Sequence, residues 1–391
     1  MNKKKVGLCL AGFSGTNYGM LLQAYATQQI VEKLGYDTEI INYRSGKDKH
    51  IRPSVGAMVV AGKVIREKIK ETLFSKASEQ WSKRGNENKE ERYEIAEAFR
   101  KRYLKNIVEC SGYRRLHEAS KAYDAVLVGS DQLWQPDVAF TNFYTLRFAA
   151  EGVKRISYAT SLGVSKYPRY CWKQAGDFWR KIDYLSVREE QGRKIIQSIV
   201  NIPVQVVADP TYLFTSKEWE ELMPCLEIRK EKYVLCYFLS DNMEAKTIAV
   251  QYAHERGAKC IGILSSECDA NDDMIYDEVL MGKTPQDFIN LIRYASCVFT
   301  DSFHGLSFSI INSKEFYVFY RKRKDTCLSR NSRIDDILKS FDLESRLICD
   351  SVNTKISNLT IDYMAIQDKV SALREKSLIF LKNALDGKAT P

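Results

Sequence analysis

Cys297-Val298-Phe299-Thr300-Asp301-Ser302-Phe303-His304-Gly305, running on into Leu306 to Ile311, is the stretch on which the fold turns. The first apolar run predicts a buried strand. The polar residues predict a sharp turn, and the second apolar run an amphipathic helix. A histidine and an aspartate then stand at the carboxyl end of a strand, where open α/β sheets bind their ligands. The chain has four histidines, and only His304 has this setting. His50, His117 and His254 fall in charged stretches and read as surface residues.

The same strand-turn-helix grammar extends outward. Upstream, Thr284-Pro285-Gln286-Asp287 reads as a helix start, with threonine as N-cap and proline at the first helical position. Before it, a β/α series opens with a strand at Tyr233 to Leu239, a helix at Asn242 to Arg256 and a strand at Lys259 to Leu264. Downstream come a strand at Phe316 to Tyr320 and helices near Ile334 to Phe341 and Tyr363 to Leu385. The N-terminal half repeats the grammar. Val6 to Leu10 reads as a buried strand and Gly12, Gly15 and Gly19 punctuate a loop. Met20 to Leu34 is helical, Gly35 ends it, and Thr38 to Tyr43 is the next strand. This β-α-β unit implies a parallel sheet with a right-handed crossover. Further strands are expected at Ala125 to Val128, Ile156 to Ala159, Tyr184 to Val187 and Val204 to Val207. From about Ser45 to Ser120 charge is dense and glycine sparse, which predicts a helical insertion with an exposed loop at Ser82 to Lys89. The polar stretch Phe214 to Lys232 is the expected crossing between two domains, about 1–215 and 230–391. Apolar runs that do not alternate fit parallel strands covered on both faces. The expected class is α/β: two Rossmann-like domains facing each other across a cleft.

The bulk properties agree with this class. A chain of 391 residues exceeds one ordinary core. Hydrophobic content of 45% and mean hydropathy of -0.34 describe a globular protein. No window reaches the ~18 consecutive apolar residues that a membrane span needs. Ten cysteines include no C-x-x-C pair, and several lie in apolar runs. With no export signal in the reading of the N-terminus, reduced thiols in a cytoplasm are expected, and no structural metal. The net charge is +9. It reads either as a solvated basic surface or as attraction to anions: a phosphorylated small molecule, a lipid diphosphate or an anionic membrane face. The cluster Arg321 to Lys324 has no nucleic-acid-binding module around it, so nucleic acid is not an expected partner.

Four places carry candidate chemistry. The loop with Gly15, Thr16, Asn17 and Tyr18 precedes a helix N-terminus, where backbone N–H groups and the dipole favour an anion. It lacks the G-x-G-x-x-G spacing, and a plain tight turn explains it equally well. Ser130, Asp131, Gln132 and Trp134 follow a strand. They would offer polar groups and a sugar-stacking ring, while serine and aspartate also serve as helix caps. Arg188 stands at a strand-to-helix junction, able to grip a carboxylate or phosphate, or to pair with a neighbouring acid. His304, with Asp301 and Ser302 beside it, suits proton transfer near neutral pH. No G-x-S-x-G, H-E-x-x-H or Walker lysine motif occurs.

In order along the chain stand Asn17-Tyr18-Gly19 with Leu22 to Ala26, Val128 to Trp134, Ile156 to Gly163, Ser186 to Glu189, Asp209-Pro210-Thr211 and Thr300 to Gly305. This ordered set resembles the polysaccharide pyruvyl transferase family. The resemblance implies a fold similar to the two-domain GT-B glycosyltransferases. It also implies phosphoenolpyruvate as donor, a saccharide hydroxyl pair as acceptor, a cyclic pyruvate ketal as product and phosphate as leaving group. The acceptor would be a capsule, exopolysaccharide or cell-wall glycan, polymer-bound or lipid-linked and met at the inner face of the membrane. No cofactor is called for beyond the donor. On this reading His304 is the general acid that protonates the donor's methylene. Asp131 or Asp301 stabilises the developing cation or deprotonates the acceptor, and Arg188 with the Gly15 to Tyr18 loop binds the donor's anionic groups. A glycosyltransferase using a nucleotide sugar, or a non-catalytic binder of glycans or phosphorylated ligands, are the alternatives.

Overall fold

The structure is a computed structural model that describes residues 3–13, 15–44, 82–225, 228–264, 275–321, 331–349, 356 and 360–389, with backbone only over 82–89. Two parallel sheets carry it. The first contains β1 (Lys5–Cys9), β2 (Asp37–Arg44), β3 (Ile107–Ser111), β4 (Ala125–Val128), β5 (Lys154–Thr160), β6 (Tyr184–Val187) and β7 (Gln205–Val206). Their order is β3-β2-β1-β4-β5-β6-β7. The second contains β8 (Tyr233–Tyr237), β9 (Lys259–Ile263), β10 (Glu278–Leu280), β11 (Cys297–Thr300), β12 (Glu315–Phe319) and β13 (Leu347–Ile348). Their order is β10-β9-β8-β11-β12-β13. In each sheet the order reverses beside the first strand, between β1 and β4 and between β8 and β11. Loops leaving the carboxyl ends there diverge and open a crevice.

The helices named below are α1 (Tyr18–Lys33), α2 (Ser82–Tyr103), α3 (Tyr113–Ser120), α4 (Trp172–Trp179), α5 (Glu190–Ile199), α6 (Ser216–Leu222), α7 (Met243–His254), α8 (Pro285–Tyr294), α9 (Phe303–Ile311), α10 (Ser332–Ser340) and α11 (Tyr363–Asp386). Local rules explain several of their starts. Thr284 and Asp287 form a reciprocal capping box at α8 with proline just inside, and Thr215 and Glu218 do the same at α6. Among the described residues no helix is long and apolar enough to cross a membrane.

Three expectations are amended. The stretch Ser82 to Lys89 is the first part of α2 and not a loop. The expected helical insertion also holds an edge strand, β3, pairing with β2; its remainder, 45–81, lies outside the described residues. Finally, α11 follows the second sheet in sequence but packs on the first. Lys154 of β5 donates to the Leu385 carbonyl, Ser377 Oγ accepts from the Ala208 amide at 2.8 Å, and Tyr36 donates to Asp386 at 2.6 Å. A helix of 24 residues is long enough to return across the junction and clasp the other half.

The halves share one buried apolar cluster. It runs from Leu22 and Tyr25 of α1 through Trp219 of α6 to Phe288 of α8 and Phe308 of α9. Tyr18 stacks on Phe288 with centroids 5.0 Å apart, and Trp219 meets Phe308 edge-on at 5.2 Å. Each such pair contributes about 0.5–1.5 kcal/mol beyond burial. This continuous core sets the two sheets with their carboxyl ends toward a shared seam.

Candidate functional site

Asp209 sits in that seam, just past β7, at the start of a single 3-10 turn. One carboxylate oxygen, Oδ1, accepts from the Thr211 amide at 3.0 Å and its hydroxyl at 2.8 Å. The other, Oδ2, accepts from Ser130 Oγ at 2.7 Å and Arg188 Nη1 at 2.9 Å. From the opposite half, His304 Nε2 comes to 3.6 Å of the same oxygen. That is an electrostatic contact and slightly beyond a hydrogen bond. The Asp209 side chain is wholly buried, and those of Arg188 and His304 nearly so. Burial alone would raise the Asp209 carboxyl. His304, Arg188 and Ser130 outweigh it and hold the group well below the usual carboxylate range. Burial would likewise depress Arg188, but Asp209, Glu189 and Asp131 raise it.

Each member is placed by its element. Arg188 leaves the end of β6. Ser130 leaves the end of β4. His304 stands in the first turn of α9, whose N-cap is Ser302. The imidazole lies directly against Gly19 in the first turn of α1, so a Cβ there would lie 2.1 Å from Nδ1 and overlap the ring. Two helix N-termini from opposite halves thus meet at one histidine. Next to Arg188, Glu189 accepts from Ser161 Oγ at 2.5 Å and the Leu162 amide at 3.2 Å. Its other oxygen lies 3.7 Å from Arg188 Nε.

A pocket of about 340 Å³ opens beside this node, lined by Arg188, Glu189, Asp209, Phe303 and Arg333 among others. The Phe303 ring meets the Arg188 guanidinium at 4.2 Å and that of Arg333 at 5.8 Å. Burial first, then repulsion from Arg188 and Arg321, pulls Arg333 down to about 9. A guanidinium keeps its proton far above neutral pH, so the pocket lining sets four cations, Arg188, Lys194, Arg333 and Lys339, against four carboxylates, Glu189, Glu190, Asp209 and Asp336. Arg188 Nε and Nη2 and His304 Nε2 are buried without hydrogen bonds. Buried donors of this kind cost free energy until a ligand occupies them. His304 itself does not line the pocket; Asp209 stands between. A larger hollow of about 600 Å³ lies elsewhere, around Tyr233 and Tyr294, and touches none of these groups.

The structure brings Arg188, Ser130, Asp131 and His304 together, and separates other expected site residues from the chemistry. Asp131 is half-buried, with φ of +78° and Oδ1 accepting from the Gln132 amide at 2.8 Å. Its charge reaches both Arg188 and Arg333. Gln132 lies against Gly163. Trp134 offers no face to a sugar. It is fully buried, edge-on to Phe178 at 5.3 Å, and its indole donates to the Tyr144 carbonyl at 2.9 Å. Asp301 is spent on structure. Its oxygens accept from the Leu239 amide at 2.6 Å, the Ser240 amide at 2.9 Å and the Ser240 hydroxyl. Burial raises its pKa despite Arg321 and these donors. Ser302 caps α9 through the Gly305 amide. The Gly15 to Tyr18 loop is not an open anion cradle either. Asn17 Oδ1 already accepts from the Gly19 and Met20 amides. Arg100 donates to the Gly15 carbonyl, Arg92 donates to the Thr16 carbonyl at 3.3 Å, and Tyr18 is buried in the seam.

Sequence reasoning did not single out Asp209, Glu189 or Arg333 as site residues. Asp209 had two signals, its place before a proline at a strand end and its place in one of the segments that carry the family resemblance; Arg333 had none.

The family model for polysaccharide pyruvyl transferase matches residues 17–323, which include Ser130, Arg188, Asp209 and His304. The chain belongs to the polysaccharide pyruvyl transferase family. In this pyruvyl transferase family member the fold is of the GT-B type. The S. aureus MnaA–UDP structure is similar at TM-score 0.52 and 10% identity, covering 99% of this chain and 97% of that one. A putative UDP-N-acetylglucosamine 2-epimerase from Listeria monocytogenes is similar at TM-score 0.49 and 11% identity, covering 100% and 99%. At 10% identity the likeness to the S. aureus structure concerns the fold alone. Comparison with curated protein sequences finds no match.

Proposed function

We propose that this protein transfers pyruvate from phosphoenolpyruvate to a pair of saccharide hydroxyls, forming a cyclic ketal in the biosynthesis of an anionic glycan. The observation that carries the reading is the node in which Asp209 holds Arg188 of one half at 2.9 Å and His304 of the other at 3.6 Å. It supports a site completed only where both halves meet.

The chemistry asks for few parts. Protonation of the donor methylene makes its neighbouring carbon electrophilic. His304, facing the Asp209 carboxylate at 3.6 Å, is the acid. Attack by one acceptor hydroxyl forms the first C–O bond. Loss of phosphate and attack by the second hydroxyl close the ketal, and the two hydroxyl protons leave with base and phosphate. Arg188 and Arg333 bind the donor's phosphate and carboxylate, which would satisfy the open donors of Arg188. Asp131, set beside both arginines, stabilises the cation or takes the first hydroxyl proton. A cytoplasmic site near the membrane face, with a lipid-linked acceptor, fits the basic chain.

The test is phosphate release from phosphoenolpyruvate with candidate saccharides, with the ketal read by mass spectrometry. No turnover across a broad acceptor panel, with stabilisation by nucleotide sugars instead, would reverse the assignment.

A further inference from the structure

A second groove, of about 370 Å³, lies on the rim of the first half where the loop after β5 meets α5. Its lining includes Lys166, Arg169 and Lys194 and no carboxylate. Among the described residues none of the three makes an ion pair, whereas Arg193 on the same helix pairs with Glu190 at 2.7 Å. Trp172 forms one wall and is 37% exposed. It is held in place all the same: its indole donates to the Tyr167 carbonyl at 2.9 Å, and Arg169 sits 5.7 Å from its ring. An indole kept exposed but fixed is a prepared stacking surface. Lys194 lines both this groove and the pocket beside Asp209. Gln191, which lines the groove, donates its amide to Asp336 of α10, which lines the pocket, at 3.2 Å.

We propose that this groove holds the anionic arm of the acceptor, a saccharide joined to a diphosphate, with a sugar ring on Trp172 and the diphosphate on Lys166, Arg169 and Lys194. The proposal rests on the pyruvyl-transfer reading of the adjoining site. Three cations without a counter-charge select a polyanion. The tryptophan face selects a ring with apolar C–H groups. The shared Lys194 sets the direction, with the hydroxyls to be bridged toward Arg188 and the diphosphate away from it.

The experiment is calorimetric titration of the full-length protein, without phosphoenolpyruvate, using geranyl diphospho-N-acetylglucosamine, geranyl diphosphate and free N-acetylglucosamine. The expected order is tightest for the first and weakest for the free sugar. Trp172→Ala should weaken the first about tenfold and bring it level with geranyl diphosphate. Lys166→Glu with Lys194→Glu should weaken both diphosphates more than about tenfold and flatten their salt dependence. Unchanged melting temperatures certify the fold of these surface variants. Absence of binding by the wild type, wild-type binding by both variants, or equal binding of the free sugar would overturn the proposal. If binding behaves as expected but phosphoenolpyruvate yields no phosphate with any acceptor, the groove stands and the transfer reading falls.

Discussion

Replacing Asp209 by asparagine removes one charge from a site that cannot rehydrate what remains. The Arg188 side chain is 3% exposed and its counter-ion 0%. After Asp209→Asn the guanidinium keeps Glu189, at 3.7 Å, and the charge of Asp131. Leaving one member of a buried pair uncompensated costs about 3–5 kcal/mol. At about 2–4 °C per kcal/mol, the melting temperature at pH 7 should fall by roughly 6–20 °C. The pH dependence has a definite sign. The Asp209 carboxyl is depressed in the folded protein, so its contribution is fully present above the unfolded value of about 3.9 and is lost as pH falls below it toward the folded value. Scanning fluorimetry from pH 7 down to about pH 2.5 should therefore show the wild type losing more stability than the variant, with the curves converging in acid. Adding Arg188→Met should recover part of the loss, because an apolar chain of similar length needs no counter-ion. A variant that melts with the wild type at pH 7, or that runs parallel to it down to acid, would refute the account of Asp209 as a charged keystone.

His304→Gln should lower phosphate release about 10²–10⁴-fold while phosphoenolpyruvate still raises the melting temperature; full turnover would remove the imidazole from the chemistry. Gly19→Ala pushes a methyl group into the His304 ring, so steady-state kinetics should show turnover down by at least about tenfold with about 1–3 kcal/mol of destabilisation. Asp301→Asn should cost about 1–3 kcal/mol in urea unfolding, through the lost clamp on Leu239 and Ser240, with turnover per folded molecule unchanged. Arg333→Ala should raise KM for phosphoenolpyruvate about 10–100-fold, the loss of one or two charge-assisted hydrogen bonds; an unchanged KM would place the donor elsewhere.

Much of the fold was legible because parallel strands announce themselves. Val6 to Leu10, Ala125 to Val128 and Tyr184 to Val187 are apolar runs that must be covered on both faces, and each is a strand here. Thr284 as N-cap and Pro285 at the first helical position marked a helix start that the structure bears out. The short edge strands β3, β10 and β13 were not visible, since a strand of a few residues pairing on one side has little pattern to show. His304, Arg188 and Ser130 could be picked out because their neighbours along the chain are strand ends, which local composition reveals. Asp301 and Trp134 looked equally functional by the same local rule. Their partners, the Leu239 and Ser240 amides and the Phe178 ring, lie tens of residues away.

Composition and apolar rhythm alone determined that this chain builds β/α units with polar turns at the carboxyl ends of its strands. Those are properties of neighbours in sequence. Only the tertiary structure decided which turn residues meet. Asp209 joins Arg188 and His304 because a continuous apolar core presses the two halves together along α1, α8 and α9. A carboxylate taken out of water must find its cations in space, and no stretch of sequence contains all three.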